Sequence, residues 1–231
     1  MARISFKPKN ITKKLLSALP SRARDVLVKR YGLGTETEAQ TLESIGQIYG
    51  ITRERVRQIE NYGIQSIQKA DIYKEYEDVF GELQCAIDDL GGVVSEAELL
   101  ELLSTDQSTK NHLYLLLVLG TPFTRHKEDT GFYHRWSVEK NLAKKVESAL
   151  SQLHKTLTED DLISEEEIVA MLAEKLADVE EKYRNEEILR RWLALSKVLG
   201  RNPLGEWGVA TSSNVRAKGI DRKSTRLNSS H

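Results

Sequence analysis

The stretch Thr52-Arg53-Glu54-Arg55-Val56-Arg57-Gln58-Ile59-Glu60-Asn61 sets arginine, glutamate, glutamine and asparagine side chains along what the spacing predicts to be a helix. At about 100 degrees per residue, Val56, Ile59, Gly63 and Ile67 share one face, while Arg53, Glu54, Arg57, Gln58 and Asn61 fall within a roughly 140-degree sector opposite. One face packs and the other presents hydrogen-bonding groups. Arg can bond bidentately to guanine O6 and N7, Gln to adenine N6 and N7, and Glu can accept from cytosine N4, so these residue types suit base edges in a major groove. A merely solvated face more often shows Lys and Glu at i,i+4 spacing. Pattern alone leaves both readings open.

The elements around this stretch must position it. After Pro20, tolerated in a helix's first turn, Ala23, Val26, Leu27 and Tyr31 repeat at helical spacing until Gly32 and Gly34 stop the run. Glu36 to Gln40 reads as a polar loop. Thr41 can cap a second helix carrying Leu42, Ile45 and Ile48, which stops at Gly50, and Thr52 can cap a third that continues to about Lys69. Two helices joined by a turn at Gly50 and Ile51 form a helix-turn-helix, whose second helix enters the groove N-terminus first. Residues 1–10 are basic and short of pattern and read as a flexible arm, followed by a weakly amphipathic start from Ile11 to Leu19.

The 231 residues carry 34 Lys plus Arg against 35 Asp plus Glu, for a net charge of -1. That total hides an asymmetry: residues 1–70 sum to +7, residues 71–220 to -10 and residues 221–231 to +2. A basic first third seeks polyanions, whereas the acidic remainder would be repelled by a phosphate backbone. The single Cys85 allows no intramolecular disulfide and no cysteine zinc site, which reads as an intracellular chain. No apolar stretch approaches the ~20 residues needed to span a bilayer, so membrane and secretory readings drop out.

Over Leu19 to Lys69 the chain resembles region four of primary bacterial sigma factors, the domain that reads the promoter -35 element; RYGL, TLESIG and ITRERVRQIE carry the likeness. The resemblance implies double-stranded DNA, a -35-like element, as one partner and the β flap of RNA polymerase as another. It implies that Arg53, Glu54, Arg57 and Gln58 face base edges, and that Thr41, Thr52, Arg55 and Asn61 lie nearer the phosphates. It also implies that the helix from Pro20 to Tyr31 lies against the flap, through Arg22, Asp25 and Lys29. A sigma factor further carries an aromatic-rich region two that melts the -10 element, and nothing before residue 19 is long enough to hold one. The expectation is a protein that binds a site in duplex DNA without a visible means of opening it.

Behind this domain lies a degenerate repeat. Asp71 to Asp89 reads as one helix with Val79, Leu83, Ala86 and Ile87 inward, broken by Gly91 and Gly92. Val94 to Leu100 opens a helix with a Ser-x-x-Glu capping box, and Ile163 to Val169 does the same 69 positions later. Apolar helices follow, Asn111 to Leu119 and Glu187 to Leu199, and then short segments around Trp136 and Trp207. The first hairpin is the clearer, with Phe123 to Lys127 and Phe132 to Val138 around Glu128 to Gly131. Helix, helix, helix, hairpin is the winged-helix order, and the segments read are 71–140 and 141–215. The helix His112 to Leu119 is nearly all apolar, suited to burial rather than a groove. Arg190 and Arg191 read as ion-paired with Glu186 and Glu187 rather than aimed at phosphate. Asn202 to Gly208 resembles the strand and linker that precede a HARE-type helix-turn-helix domain, of a sort found also in the polymerase δ subunit. Residues 216–220 would then be a linker to a missing C-terminal domain, while residues 221–231 resemble the in-frame translation of a sequencing adapter.

Enzyme chemistry is scarcely represented. His112, His126, His134 and His154 show no metal-ligand spacing, and Glu165 to Glu167 complement the dipole of a helix's first turn. Tyr31-Gly32-Leu33-Gly34 is a helix stop rather than a phosphate loop, and Cys85 reads as part of an apolar helix face. The resulting expectation is a mainly α, cytoplasmic, nucleoid-associated DNA-binding protein: a helix-turn-helix domain at 19–70 behind a basic arm at 1–18, then two winged-helix-like units with short β-hairpins. It is expected to be no enzyme and to use no cofactor, metal or small-molecule substrate. The alternatives are a polymerase-binding adaptor that reads no bases and the DNA-targeting part of a longer nuclease.

Overall fold

The computed structural model describes residues 4–216. The segment read as adapter-like, 221–231, and all but the first residue of the 216–220 linker lie outside the described residues. Six helices come first: α1 (Pro8–Ser17), α2 (Ser21–Tyr31), α3 (Leu42–Tyr49), α4 (Arg53–Lys69), α5 (Asp71–Lys74) and α6 (Glu77–Asp89). They are followed by β1 (Val93–Ser95), α7 (Glu96–Leu103), α8 (Gln107–Leu119), β2 (Thr124–His126) and β3 (Arg135–Ser137). Last come α9 (Lys140–Thr156), α10 (Glu165–Lys175), α11 (Glu186–Leu193), β4 (Leu199–Arg201), β5 (Trp207–Val209) and α12 (Ser213–Arg216). The protein is mainly α, as its periodicity predicts.

The strands are short. β3 is hydrogen-bonded to β2, and β4 pairs antiparallel with β5, Leu199 opposite Val209 and Arg201 opposite Trp207. Ile163 bridges Trp207 on the other side of β5. Three helices and a hairpin therefore occur twice in succession, first from α6 to β3 and again from α9 to β5. Of the described residues, 4–90, 96–125 and 136–138 form one compact unit, and 91–95, 126–135 and 139–216 another.

In the first unit α8 is an internal helix. Leu113, Leu115, Leu116, Leu117 and Leu119 are wholly buried, as an almost continuous apolar run requires. Asp106 caps α8 by accepting from the Thr109 backbone N–H, and the Thr109 hydroxyl first, then that N–H and the nearby Lys9 ammonium, hold its carboxyl down at about 2. α1 starts earlier than expected: Pro8 occupies the first turn, where its missing N–H costs nothing, and Thr12, Leu15 and Leu16 are buried. Residues 8–10, read as part of a pattern-free arm, thus belong to a packed helix.

The expected single helix over 71–89 is two. Tyr73 donates its hydroxyl to the Leu119 carbonyl and stacks on Phe80 with ring centroids 4.6 Å apart. On a continuous helix these positions would be separated by about 10 Å along the axis, so the break at Glu75 and Tyr76 is what lets the rings meet. Val79, Leu83, Ala86 and Ile87 point inward as predicted, but Cys85 is exposed. The reading of Cys85 as core is corrected: it stands about 200 degrees round the helix from both Leu83 and Ile87.

A buried polar contact ties α1 to α8, the Thr12 hydroxyl against His112 Nδ1. Burial, with Lys9 nearby, holds the His112 pKa below its ordinary value against the opposing pull of Asp106. The unfolded chain then binds a proton more readily than the folded one, so the contribution is fully present above the unfolded-state pKa and is lost as pH falls through the folded one. We expect the thermal midpoint to drop on acidification through this range, and by less in His112→Gln; equal pH slopes for the two proteins would show that His112 contributes nothing.

In the second unit the core gathers around Trp192, fully buried in α11 with Val146, Leu150, Ile168, Leu172 and Leu189. Arg135, only 3% exposed, is held by Glu147 at 2.6 Å and by the carbonyl of Tyr133 at 3.0 Å, with its guanidinium over the Phe132 ring. A buried charge so fully partnered is structural rather than free to bind an anion. α10 opens as predicted, with Ser164 accepting from the Glu167 N–H. Arg190 and Arg191 pair with Glu186 and Glu187, the solvated reading of that helix. α11 stops at Leu193 rather than running to Leu199. The Leu195 carbonyl accepts from Tyr133 N–H and Lys197 N–H donates to the Gly131 carbonyl, drawing 195–197 off the helix.

Candidate nucleic-acid interface

The helix-turn-helix forms because each of its signals is local. α2 ends at Gly32, which adopts φ 61 and ψ 44, the left-handed conformation that glycine enters without a Cβ penalty. Thr41 Oγ1 accepts from Ser44 N–H at 3.1 Å to start α3, and Gly50, also left-handed, ends it. Thr52 Oγ1 accepts from Arg55 N–H at 3.2 Å to start α4. Val26, Ile45 and Val56, one from each of α2, α3 and α4, are fully buried against one another. Gly63 permits a close crossing, since a Cβ there would meet Leu27 Cδ1 at 3.1 Å.

This core sets the phase of α4. With Val56 and Ile67 inward, Arg53, Glu54, Arg55, Arg57, Gln58 and Asn61 are all exposed. The structure therefore brings the four residues expected at base edges together on the first two turns of one helix. Arg57 forms a fork on Glu54, Nε to Oε2 at 2.9 Å and Nη2 to Oε1 at 2.7 Å, and the pairing holds the Glu54 carboxyl below its ordinary range. Arg55 Nη1 donates to Gln58 Oε1 at 3.0 Å. Among the described residues Arg53 makes no ion pair. Thr41 and Thr52 spend an oxygen lone pair on their caps, which leaves each hydroxyl hydrogen able to donate to a phosphate oxygen. On α2, Asp25 pairs with Lys29 at 3.0 Å, and the Arg22 guanidinium lies 5.3 Å from the Tyr49 ring centroid.

Several residues that shape this face were not singled out in the sequence. Glu60 accepts from Arg30 Nε at 3.3 Å and from the Tyr31 hydroxyl at 3.1 Å, tying α4 to α2; burial and then Glu60 raise the Tyr31 pKa, so the hydroxyl stays a donor. Asn111 Nδ2 donates to the carbonyls of Gly32 and Thr37 at 2.9 and 2.7 Å, fixing the loop between α2 and α3 from α8. Tyr114 meets Tyr31 from the same helix, and Gln68 at the end of α4 donates to the Leu119 carbonyl. No local signal could have found Asn111, 79 positions from Gly32. Tyr62 is different: at i+4 from Gln58 and i+7 from Arg55 its exposure follows from the helical wheel, and with those residues, Arg22 and Ile59 it lines a groove between α2 and α4. Ile48, expected on the packed face of α3, is instead 55% exposed.

Residues 15–69 match the family described as Sigma-70, region 4. Over 66 residues the chain is 46% identical to the RNA polymerase sigma factor SigA of Nostoc sp. (strain PCC 7120 / SAG 25.82 / UTEX 2576), covering 27% of this chain and 17% of that protein. It is 46% identical over 65 residues to SigA1 of Synechococcus elongatus, covering 27% and 16%, and 45% identical over 67 residues to RpoS of Coxiella burnetii, covering 29% and 18%. The N-terminal domain is thus sigma region four-like, and the chain spans less than a fifth of the length of these curated relatives. No solved structure matches. Among the described residues no group of three or more His, Cys, Asp or Glu side chains could hold a metal ion, and no helix is long and apolar enough to cross a membrane.

Proposed function

We propose that the N-terminal unit binds duplex DNA with α4 in the major groove, and that the protein acts in transcription initiation or its regulation alongside RNA polymerase. The observation that carries this reading is that the sigma region 4 match contains the helix whose first two turns expose Arg53, Glu54, Arg57 and Gln58 together. In the proposed complex these four meet base edges, while Thr41, Thr52, Arg55 and Asn61 fix the register through phosphates. The Glu54–Arg57 fork presents the guanidinium in one orientation before DNA arrives, which lowers the ordering cost of binding. Arg22, Asp25 and Lys29 on α2 are proposed to face the polymerase β flap.

Selection of the full chain against a randomised duplex pool, followed by anisotropy on the winning site across a salt series, tests the reading. An enriched site resembling a -35 element supports it, with log K falling by about 0.9 per phosphate contacted for each unit of log salt. Arg57→Ala is then expected to weaken that site by about 1 to 3 kcal/mol while leaving random duplex nearly unchanged. Equal losses on both would remove the base-reading role. No enrichment, with only steep salt-sensitive binding, would replace the proposal by docking on polymerase without base reading.

A further inference from the structure

α1 has two unlike faces. Thr12, Leu15 and Leu16 are buried, while Lys7 just before the helix and Lys13 and Lys14 within it are exposed. Among the described residues none of these three lysines forms an ion pair, whereas Lys9 is held by Asp106 at 3.1 Å. Between them lies a surface groove floored by Phe6, Ile11 and Tyr76 and edged by the lysines, with no acidic side chain in its lining. Both ends of the floor are fixed. Ser5 bonds Glu82 through its backbone N–H and its hydroxyl, at 2.8 Å for the latter, which anchors the segment carrying Phe6. Tyr76 sits at the break between α5 and α6, where the stacked Tyr73 and Phe80 hold the bend.

We propose that this groove docks an acidic, amphipathic helical segment of a protein partner. Charge complementarity decides the sign of the occupant: three unpaired ammonium groups around an apolar floor favour carboxylates flanking apolar anchors. The floor decides the class. A duplex backbone would use the lysines but lay charged phosphates over Phe6, Ile11 and Tyr76. A single strand needs flat exposed rings on which to stack, and here one floor residue is the branched Ile11 and both rings are only partly exposed. From Lys7 to Ser17 the groove follows roughly 15 Å of helix axis. That suits about three turns of a partner helix with anchors at i, i+3 or i+4, and i+7. Apart from Ser17 the groove lies outside the sigma-like span, so the site is independent of the base-reading proposal.

The test uses the full chain and a displayed library of random peptides long enough for three helical turns. Winning peptides are expected to be acidic with apolar residues at helical spacing. A labelled winner should lose at least about tenfold in affinity against the double variant Lys7→Glu, Lys14→Glu, and separately against Ile11→Ser, while Lys9→Glu stays within about twofold. The lysine changes are on the surface, so they keep the test valid if Ile11→Ser fails to fold. Winners without acidic residues, or binding unchanged in the lysine variant, would overturn the proposal. So would a labelled oligothymidine that competes with the peptide and whose binding the same variants abolish, an outcome that would assign the groove to single-stranded nucleic acid.

Discussion

Gly46→Val is expected to destabilise the first unit by about 1 to 3 kcal/mol and to lower affinity for a selected duplex site at least about tenfold. Gly46 is in the middle of α3 and buried, and a Cβ built there would lie 2.6 Å from the Ile51 carbonyl oxygen. The obstructing atom is backbone, not a side chain that can rotate away. Ile51 belongs to the turn that launches α4, and its own N–H donates to the Gly46 carbonyl at 3.0 Å. Relief therefore requires the turn to move, and the turn carries Arg53 and Glu54 with it. Readouts are a urea midpoint and anisotropy on the selected site. Gly81→Ala is the control, because nothing lies within 4 Å of a Cβ at that helical position. There the helix gains about 0.5 to 1 kcal/mol and DNA binding is unmoved. Full binding by Gly46→Val would mean that the α3–α4 angle does not position the exposed polar face of α4 for the proposed contact with DNA.

The parts of this protein that could be read from sequence are those whose cause lies within a few residues. Thr41, Gly50 and Thr52 act through backbone groups no more than five positions away, and the caps and the left-handed turn stand where the residue types place them. The inward phase of α4 follows from Val56 and Ile67, which made the exposure of Arg53, Glu54, Arg57 and Gln58 legible as well. What was not legible depends on distant partners. The break between α5 and α6 answers to a carbonyl 46 positions from Tyr73, and the end of α11 answers to Gly131 and Tyr133. Likewise the loop that α3 depends on is held by Asn111 of α8, a helix whose apolar run advertised burial but not against what. The exposure of Ile48 and Cys85 has a different origin. Each belongs to an apolar-looking helix, and the neighbours that are buried, Ile45 in one and Leu83 with Ile87 in the other, already fill the packed sector.

Trp192→Ala should cost the second unit about 3 to 5 kcal/mol, the range for removing a large aromatic from a closed core. Trp192 is fully buried, its ring lies 6.3 Å from that of Tyr183, and its indole N–H donates to the Val93 carbonyl at 3.2 Å. The surroundings are poorly placed to collapse into the space. Gly91 approaches at φ 108, a conformation other residues rarely adopt, and a Cβ there would already meet Ile188 at 2.6 Å. Trp192→Phe separates the two contributions. It keeps most of the apolar volume but removes the donor, leaving the Val93 carbonyl without its indole partner, and should cost about 1 to 3 kcal/mol from the lost bond and the smaller ring. The measurement is a urea midpoint by far-ultraviolet dichroism at constant m-value, since a change in m would report a change in the unfolded state instead. If alanine and phenylalanine cost the same, the hydrogen bond to Val93 rather than packing holds β1 to α11. A cost under about 1 kcal/mol for alanine would mean that this core closes without its central ring.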